Sequence, residues 1–296
     1  MRKKSLAIFL ALVLSVICLF SFSGCDALGD LDLVMNGSST GTEYYIEDKF
    51  LVFGEYPQSV KADSVTIEDT VANDMGYYKG SDGAYYQKLT ATPYNKEYKF
   101  SNGQKVESGK EYYFKVEPIK WDILDNTGEK LFVASNKVLD KHEFGKSTNS
   151  YADSDVAEFL NEDFFLQAFN GYKSDVMMHV TIDNSVASTG YEENGYACRD
   201  TREKLFLLSY KEVHTEYLGF HADATRMGTA TDYLIAQGVE INTHMVYYGA
   251  TDYMLRSPVN DSVRDVRKVD VNGQIGKCYI GYQRGVLPAF YLDLTK

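Results

Sequence analysis

A chain of 296 residues, 44% of them hydrophobic, is long enough to bury one large core or two small ones. Its formal charge is −12, and residues 1–24 hold three basic and no acidic side chains, so the remainder carries 27 basic against 42 acidic groups, or −15. That balance excludes nucleic acid and anionic lipid surfaces as charge-driven partners and suits an exterior that stays soluble outside a cell.

The chain opens with Met1-Arg-Lys-Lys4, followed by an apolar run over residues 6–20, small residues at 21–24 and Cys25. A basic start, an apolar core and a small-residue exit make an export signal. Phe22-Ser-Gly-Cys25 resembles the bacterial lipobox, apart from Phe22 where leucine is usual. In the lipobox the thiol receives a diacylglycerol before cleavage, and two acyl chains suffice for stable anchoring. The expected organisation is a signal peptide over 1–24, a lipidated Cys25 with a polar tether to residue 48, and one extracytoplasmic domain over 49–296. Gly37-Ser-Ser-Thr-Gly41 matches the Gly-x-Ser-x-Gly nucleophile pattern, but it lies in the tether without the strand and helix that pattern needs, and is read as chance.

Phe50 to Phe53 begins the folded part, and Gly54-Glu-Tyr-Pro-Gln58 turns the chain. Hairpins are predicted around Gly80-Ser-Asp-Gly83, Ser101-Asn-Gly103 and Asn126-Thr-Gly128, each flanked by alternating or continuous apolar runs. The middle is predicted helical. Ser154 is placed to cap a helix whose apolar face continues through Phe164, Phe165, Ala168 and Phe169, and acidic residues in its first turn suit the helix dipole. Short helices are expected over 211–218 and 231–237, and buried strands over 176–182 and 205–208. The end is strand-like at 252–255, 266–271, 278–280 and 289–294, with a hairpin turn at Asp270-Val-Asn-Gly273. The predicted class is α+β, with strands at both ends that pair with each other and short helices between.

Six segments together resemble an uncharacterised domain family of exported bacterial surface proteins: Phe53-Gly-Glu-Tyr-Pro-Gln58, Val116-Glu-Pro-Ile-Lys-Trp-Asp-Ile-Leu124, Val138-Leu-Asp140, Leu205-Phe-Leu-Leu-Ser209, Leu255-Arg-Ser-Pro258 and Gly285-Val-Leu-Pro-Ala-Phe290. They span residues 50–294. The chain departs from that family at Leu287, where an arginine is usual, and at Tyr253-Met254, where aromatics are frequent. The closing pattern also looks like the last strands of C-type-lectin-like and formylglycine-generating-enzyme-like folds, an analogy of fold that says little about function.

Catalytic chemistry is hard to find. Beyond Cys18 in the signal and Cys25, the cysteines are Cys198 and Cys278. They lack redox-pair spacing; they form either one disulfide closing a loop of about 80 residues, worth roughly 4 kcal/mol, or two free thiols. His214, His221 and Asp223 are a weak metal set without a His-Glu-x-x-His pattern, and Asn260, Asp261 and Asp252 are weak candidates for calcium. Arg256, beside Ser257, is read as a buried planar donor tying backbone carbonyls together, or else as a ligand contact in a groove. Trp121 is read as core before sugar platform, and Tyr253 as a candidate binding or structural residue. No metal and no cofactor are expected. The expected function is a non-catalytic lipoprotein domain, anchored to the outer face of the cell membrane, that binds an extracellular glycan or protein. The alternatives are a formylglycine-generating-type or other surface-modifying enzyme, and a structural envelope protein.

Overall fold

A computed structural model of the chain describes residues 44–169 and 174–296. The signal peptide, Cys25 and the tether up to residue 43 lie outside the described residues.

Strands β1 (Tyr45–Glu47) and β2 (Phe50–Val60) form a hairpin, so the last residues assigned to the tether already belong to a sheet. β3 (Tyr77–Lys79) and β4 (Tyr85–Thr90) form the hairpin expected at Gly80–Gly83. The 16-residue β5 (Glu111–Asn126) turns at Asn126-Thr-Gly128 into β6 (Lys130–Ser135). The short β7 (Lys137–Val138) and β8 (Asp140–His142) follow. Two helices come next, α1 (Asp155–Asn161) and α2 (Asp163–Phe169). After them run β9 (Val180–Ile182), α3 (Val186–Thr189), β10 (Thr201–Glu203) and β11 (Leu205–Leu207). Two 3-10 turns, α4 (Asp223–Arg226), β12 (Gly228–Ala230) and α5 (Asp232–Gln237) lead to β13 (Ala250–Thr251) and β14 (Tyr253–Pro258). β15 (Asp265–Val269), β16 (Ile275–Tyr279), β17 (Arg284–Val286) and β18 (Pro288–Asp293) close the chain.

The largest sheet runs β1-β2-β5-β6-β18-β11, with the β3–β4 hairpin attached to β5. A second sheet runs β16-β15-β14-β17-β8, and a small one runs β13-β12-β7. The expectation of an α+β fold of lectin-like or formylglycine-generating-enzyme-like type is therefore corrected: the chain is mostly β, 38% strand against 16% helix, and neither of those folds is found. The helical patterns in the middle become pieces of seven residues or fewer. Helices this short are marginal without tertiary packing, and here they act as lids on the sheets. Residues 211–218 form not a helix but two 3-10 turns, Glu212–His214 and Glu216–Leu218. Of residues 176–182 only Val180–Ile182 is strand; Met177 makes a lone bridge to Leu292. The terminal strands share a sheet but do not pair, because β5 and β6 lie between β2 and β18.

The Ser154 cap acts as read, and Thr231, expected as the first residue of a helix, turns out to be a cap as well. Ser154 Oγ accepts from the Ala157 amide at 3.3 Å, and Thr231 Oγ1 from the Leu234 amide at 3.1 Å. The core joins both large sheets. Trp121 is fully buried in it, its ring 4.7 Å from that of Phe290, and its indole N–H donates to the Phe53 carbonyl at 2.8 Å. A tryptophan with its one donor satisfied in an apolar wall is a core residue. Asp140 ties three elements together: it accepts from the Tyr56 hydroxyl on β2, from Gln237 Nε2 on α5 at 2.9 Å and from the Lys141 amide at 2.8 Å.

Candidate functional site

β14 is buried along its whole length and carries three of the residues singled out from the sequence. Arg256 is 3% exposed. Its Nη1 donates to the Leu207 carbonyl at 2.7 Å and to Glu212 Oε2 at 2.6 Å, and its Nη2 donates to Glu212 Oε1 at 3.0 Å. A guanidinium presents parallel donors that match a carboxylate, and Glu212 takes both. Arg256 is thus the planar donor tying backbone together, with a bidentate ion pair that sequence reasoning missed. The signal was present: Ser209-Tyr-Lys-Glu212 has capping-box spacing. The Ser209 amide donates to Glu212 Oε2 at 2.7 Å, and the Glu212 amide to Ser209 Oγ at 3.2 Å. That box aims Glu212 inward. Burial works to raise the Glu212 pKa, but the Arg256 charge and its hydrogen bonds prevail and hold it below the usual carboxylate range. Ser257 links the same region: its Oγ donates to the Ser188 carbonyl at 3.1 Å and accepts from the Tyr210 amide at 2.9 Å.

Around this pair the outer face of the main sheet carries a row of rings. Phe132 on β6 and Tyr291 on β18 are directly paired residues with centroids 4.6 Å apart and planes 13° apart. Phe206 on β11 continues the row, 6.0 Å from Phe132 and 6.1 Å from Tyr291. The Arg256 guanidinium lies over the Phe206 ring at 5.6 Å, and Lys130 Nζ over the Tyr291 ring at 5.1 Å. Burial, with the Glu212 charge secondary, pushes the Tyr291 phenol up to about 12. Phe132 and Tyr291 line a cleft of about 200 Å³ that also takes in Asp125, Asp183, Lys211, Thr215 and Tyr217, with Phe206 buried behind them. Tyr217 is 78% exposed at its edge.

Leu218, in the second 3-10 turn, separates this cleft from a neighbour of about 290 Å³ and lines both. The second cleft is walled by Lys49, Asp122, Asn136, Arg226, Tyr253 and Leu287. Asp122 is half-buried; burial raises its pKa, partly offset by the hydrogen bond from Asn136 Nδ2 at 3.0 Å and by Lys49. Tyr253 is a wall residue whose hydroxyl is used internally, donating to the Arg226 carbonyl at 2.7 Å. Leu287, which stands where the resembled family has arginine, keeps that wall apolar. The structure therefore brings Arg256 and Tyr253 to two adjoining clefts along one groove, supports them through Ser257, and leaves Trp121 in the core.

The other candidates disperse. Cys198 and Cys278 are free thiols, so of the two alternatives the disulfide is not the one formed. Cys278 is buried, and burial pushes its thiol up to about 12, which keeps it protonated and unreactive at neutral pH. His214 stacks on Tyr210 at 4.0 Å, with Nδ1 3.0 Å from the Tyr210 carbonyl oxygen. Asp252 is engaged by Lys268 at 2.8 Å and Arg284 at 3.1 Å, and Asp261 by Lys277 at 2.8 Å. Among the described residues no three His, Cys, Asp or Glu side chains gather as a metal site. The groove offers aromatic side chains, hydroxyls and carboxylates, and its buried Arg256 and Glu212 charges are spent on each other.

A family model described as a domain of unknown function, DUF6273, matches residues 128–294. The matched span holds Glu212, Tyr253, Arg256 and the ring row, while the motifs at 53–58 and 116–124 lie outside it. No curated protein and no solved structure matches the chain.

Proposed function

We propose that this chain, which belongs to the DUF6273 family, is a membrane-tethered surface lipoprotein whose outer domain binds an extracellular glycan in the groove beside Arg256. One observation carries the reading: the half-buried Tyr291 ring, backed by Phe132 and Phe206, meets the exposed Tyr217 and short polar side chains in one cleft. Aromatic faces accept the apolar C–H faces of a sugar, and convergent hydroxyl, carboxylate and ammonium groups accept its hydroxyls. The Arg256–Glu212 pair orders the cleft wall without offering a free acid or base. The lipobox-like Phe22-Ser-Gly-Cys25 supplies the tether.

The test is a glycan and surface-protein binding screen with the full lipidated chain in detergent micelles, beside Tyr217→Ala. Tyr217 is exposed, so its loss spares the fold. A glycan hit that weakens about tenfold in the variant, or ~1.4 kcal/mol, is expected. Silence against every glycan, or binding indifferent to Tyr217, would sink the proposal.

A further inference from the structure

Away from the groove, the segment before β13 presents four consecutive apolar and aromatic side chains to solvent. Met245 is 91% exposed, Val246 70%, and Tyr247 and Tyr248 41% each. The segment is tied at its base rather than free to fold its tips inward. Asn242 Oδ1 accepts from the His244 amide at 2.8 Å, the Gly249 amide donates to the Asn242 carbonyl at 3.0 Å, and the Tyr247 amide to the His244 carbonyl at 2.9 Å. Tyr248 also clamps the neighbouring loop, accepting from the Lys99 amide at 3.0 Å and donating to the Lys99 carbonyl at 3.2 Å. That loop adds Tyr94, 61% exposed, and the exposed Lys96 and Lys99, with Glu97 between them paired to Lys105. Methionine, valine and three tyrosines with lysines at the rim is the make-up of a surface that sits at the boundary between acyl chains and headgroups.

The tether points to the occupant. Described structure starts at Tyr44, next to β1. Tyr45 and Glu47 share a cleft with Lys137 on β7. β7 pairs with β12 and β12 with β13, which directly follows the apolar loop. At about 4.8 Å per strand step, the loop lies a few strand widths from the chain's entry. Between Cys25 and Tyr44 there are 18 residues, which reach at most roughly 60 Å when fully extended. A tether of that length is enough for this loop to reach the bilayer when the chain is anchored at Cys25. We infer that residues 244–248, with Tyr94, dock on the lipid surface to which the chain is tethered. The contact depends on apolar insertion, since an acidic protein gains nothing from anionic lipid.

This inference rests on the lipid anchor, and the experiment separates the two. The lipidated full chain, with Cys198→Ser and either Met245→Cys or Val71→Cys carrying an environment-sensitive fluorophore, is placed in phosphatidylcholine vesicles that contain acyl-chain nitroxide lipid. Val71 is 77% exposed and lies outside the patch. Quenching at 245 and none at 71 is expected. In a chain labelled at Tyr94→Cys, Met245→Asp with Val246→Asp should abolish quenching while flotation with the vesicles persists. A chain that floats but is unquenched at 245 overturns the docking alone and leaves the patch to a protein partner. A chain that does not float overturns the anchor, and the docking with it.

Discussion

Glu212 meets both terminal nitrogens of Arg256, and the arginine has almost no solvent to turn to if that carboxylate goes. Breaking a buried pair by removing one partner leaves an uncompensated charge and costs about 3 kcal/mol. Glu212→Gln should lower stability by about that much, read by urea denaturation at neutral pH. The pH dependence has a definite sign. The folded pKa of Glu212 is depressed, so its contribution is present above the unfolded value of about 4.3 and disappears as pH falls through the folded value. The gap between wild type and Glu212→Gln should therefore close on acidification below about pH 4.3. A gap that stays constant or widens there would show that the pair does not supply the stability. Arg256 could be read from the sequence because arginine between leucine and Ser-Pro needs partners in any fold. Its partner lies 44 positions away, and no local pattern joins them.

Elements differ in how far local chemistry specified them. Ser154 announced its helix because a cap needs only an amide three residues on. The turns at 80–83 and 126–128 announced hairpins for the same reason. Residues 211–218 carried a helical pattern, but Ser209 and Glu212 close one tight turn, and Gly219, at φ 91°, ends the next. The parallel contact between β14 and β17 is a tertiary device of another kind. It registers Tyr253 with Gly285, and a Cβ at Gly285 would lie 2.2 Å from the Asp252 carbonyl oxygen. Gly285→Ala should force those strands apart and cost about 1–3 kcal/mol or more, seen as a lower Tm. An unchanged Tm would mean that the strands can separate without loss. The same residue pairs with Lys141 on β8, so the strain would spread through the five-stranded sheet.

For the whole molecule, the proposed anchor at Cys25 has the widest consequences, because it would hold both the proposed glycan groove and the proposed lipid-docking loop near a membrane. Metabolic labelling with a clickable fatty acid should mark the wild-type chain and not Cys25→Ala; equal labelling would remove the anchor from the account. Sequence by itself determined the acidic charge balance, the turns at 80–83 and 126–128 and the Ser154 cap, since each depends on composition or on a few neighbouring residues; it favoured the core for Trp121 and left Arg256 open between a buried donor and a ligand contact. Tertiary structure alone decided the sheet order that separates the terminal strands, the pairing of Glu212 with Arg256, and the row of Phe132, Tyr291 and Phe206. Strand pairing is a choice among distant partners, settled by which faces pack into one core, so side chains 74 to 159 positions apart met in a cluster that no stretch of sequence describes.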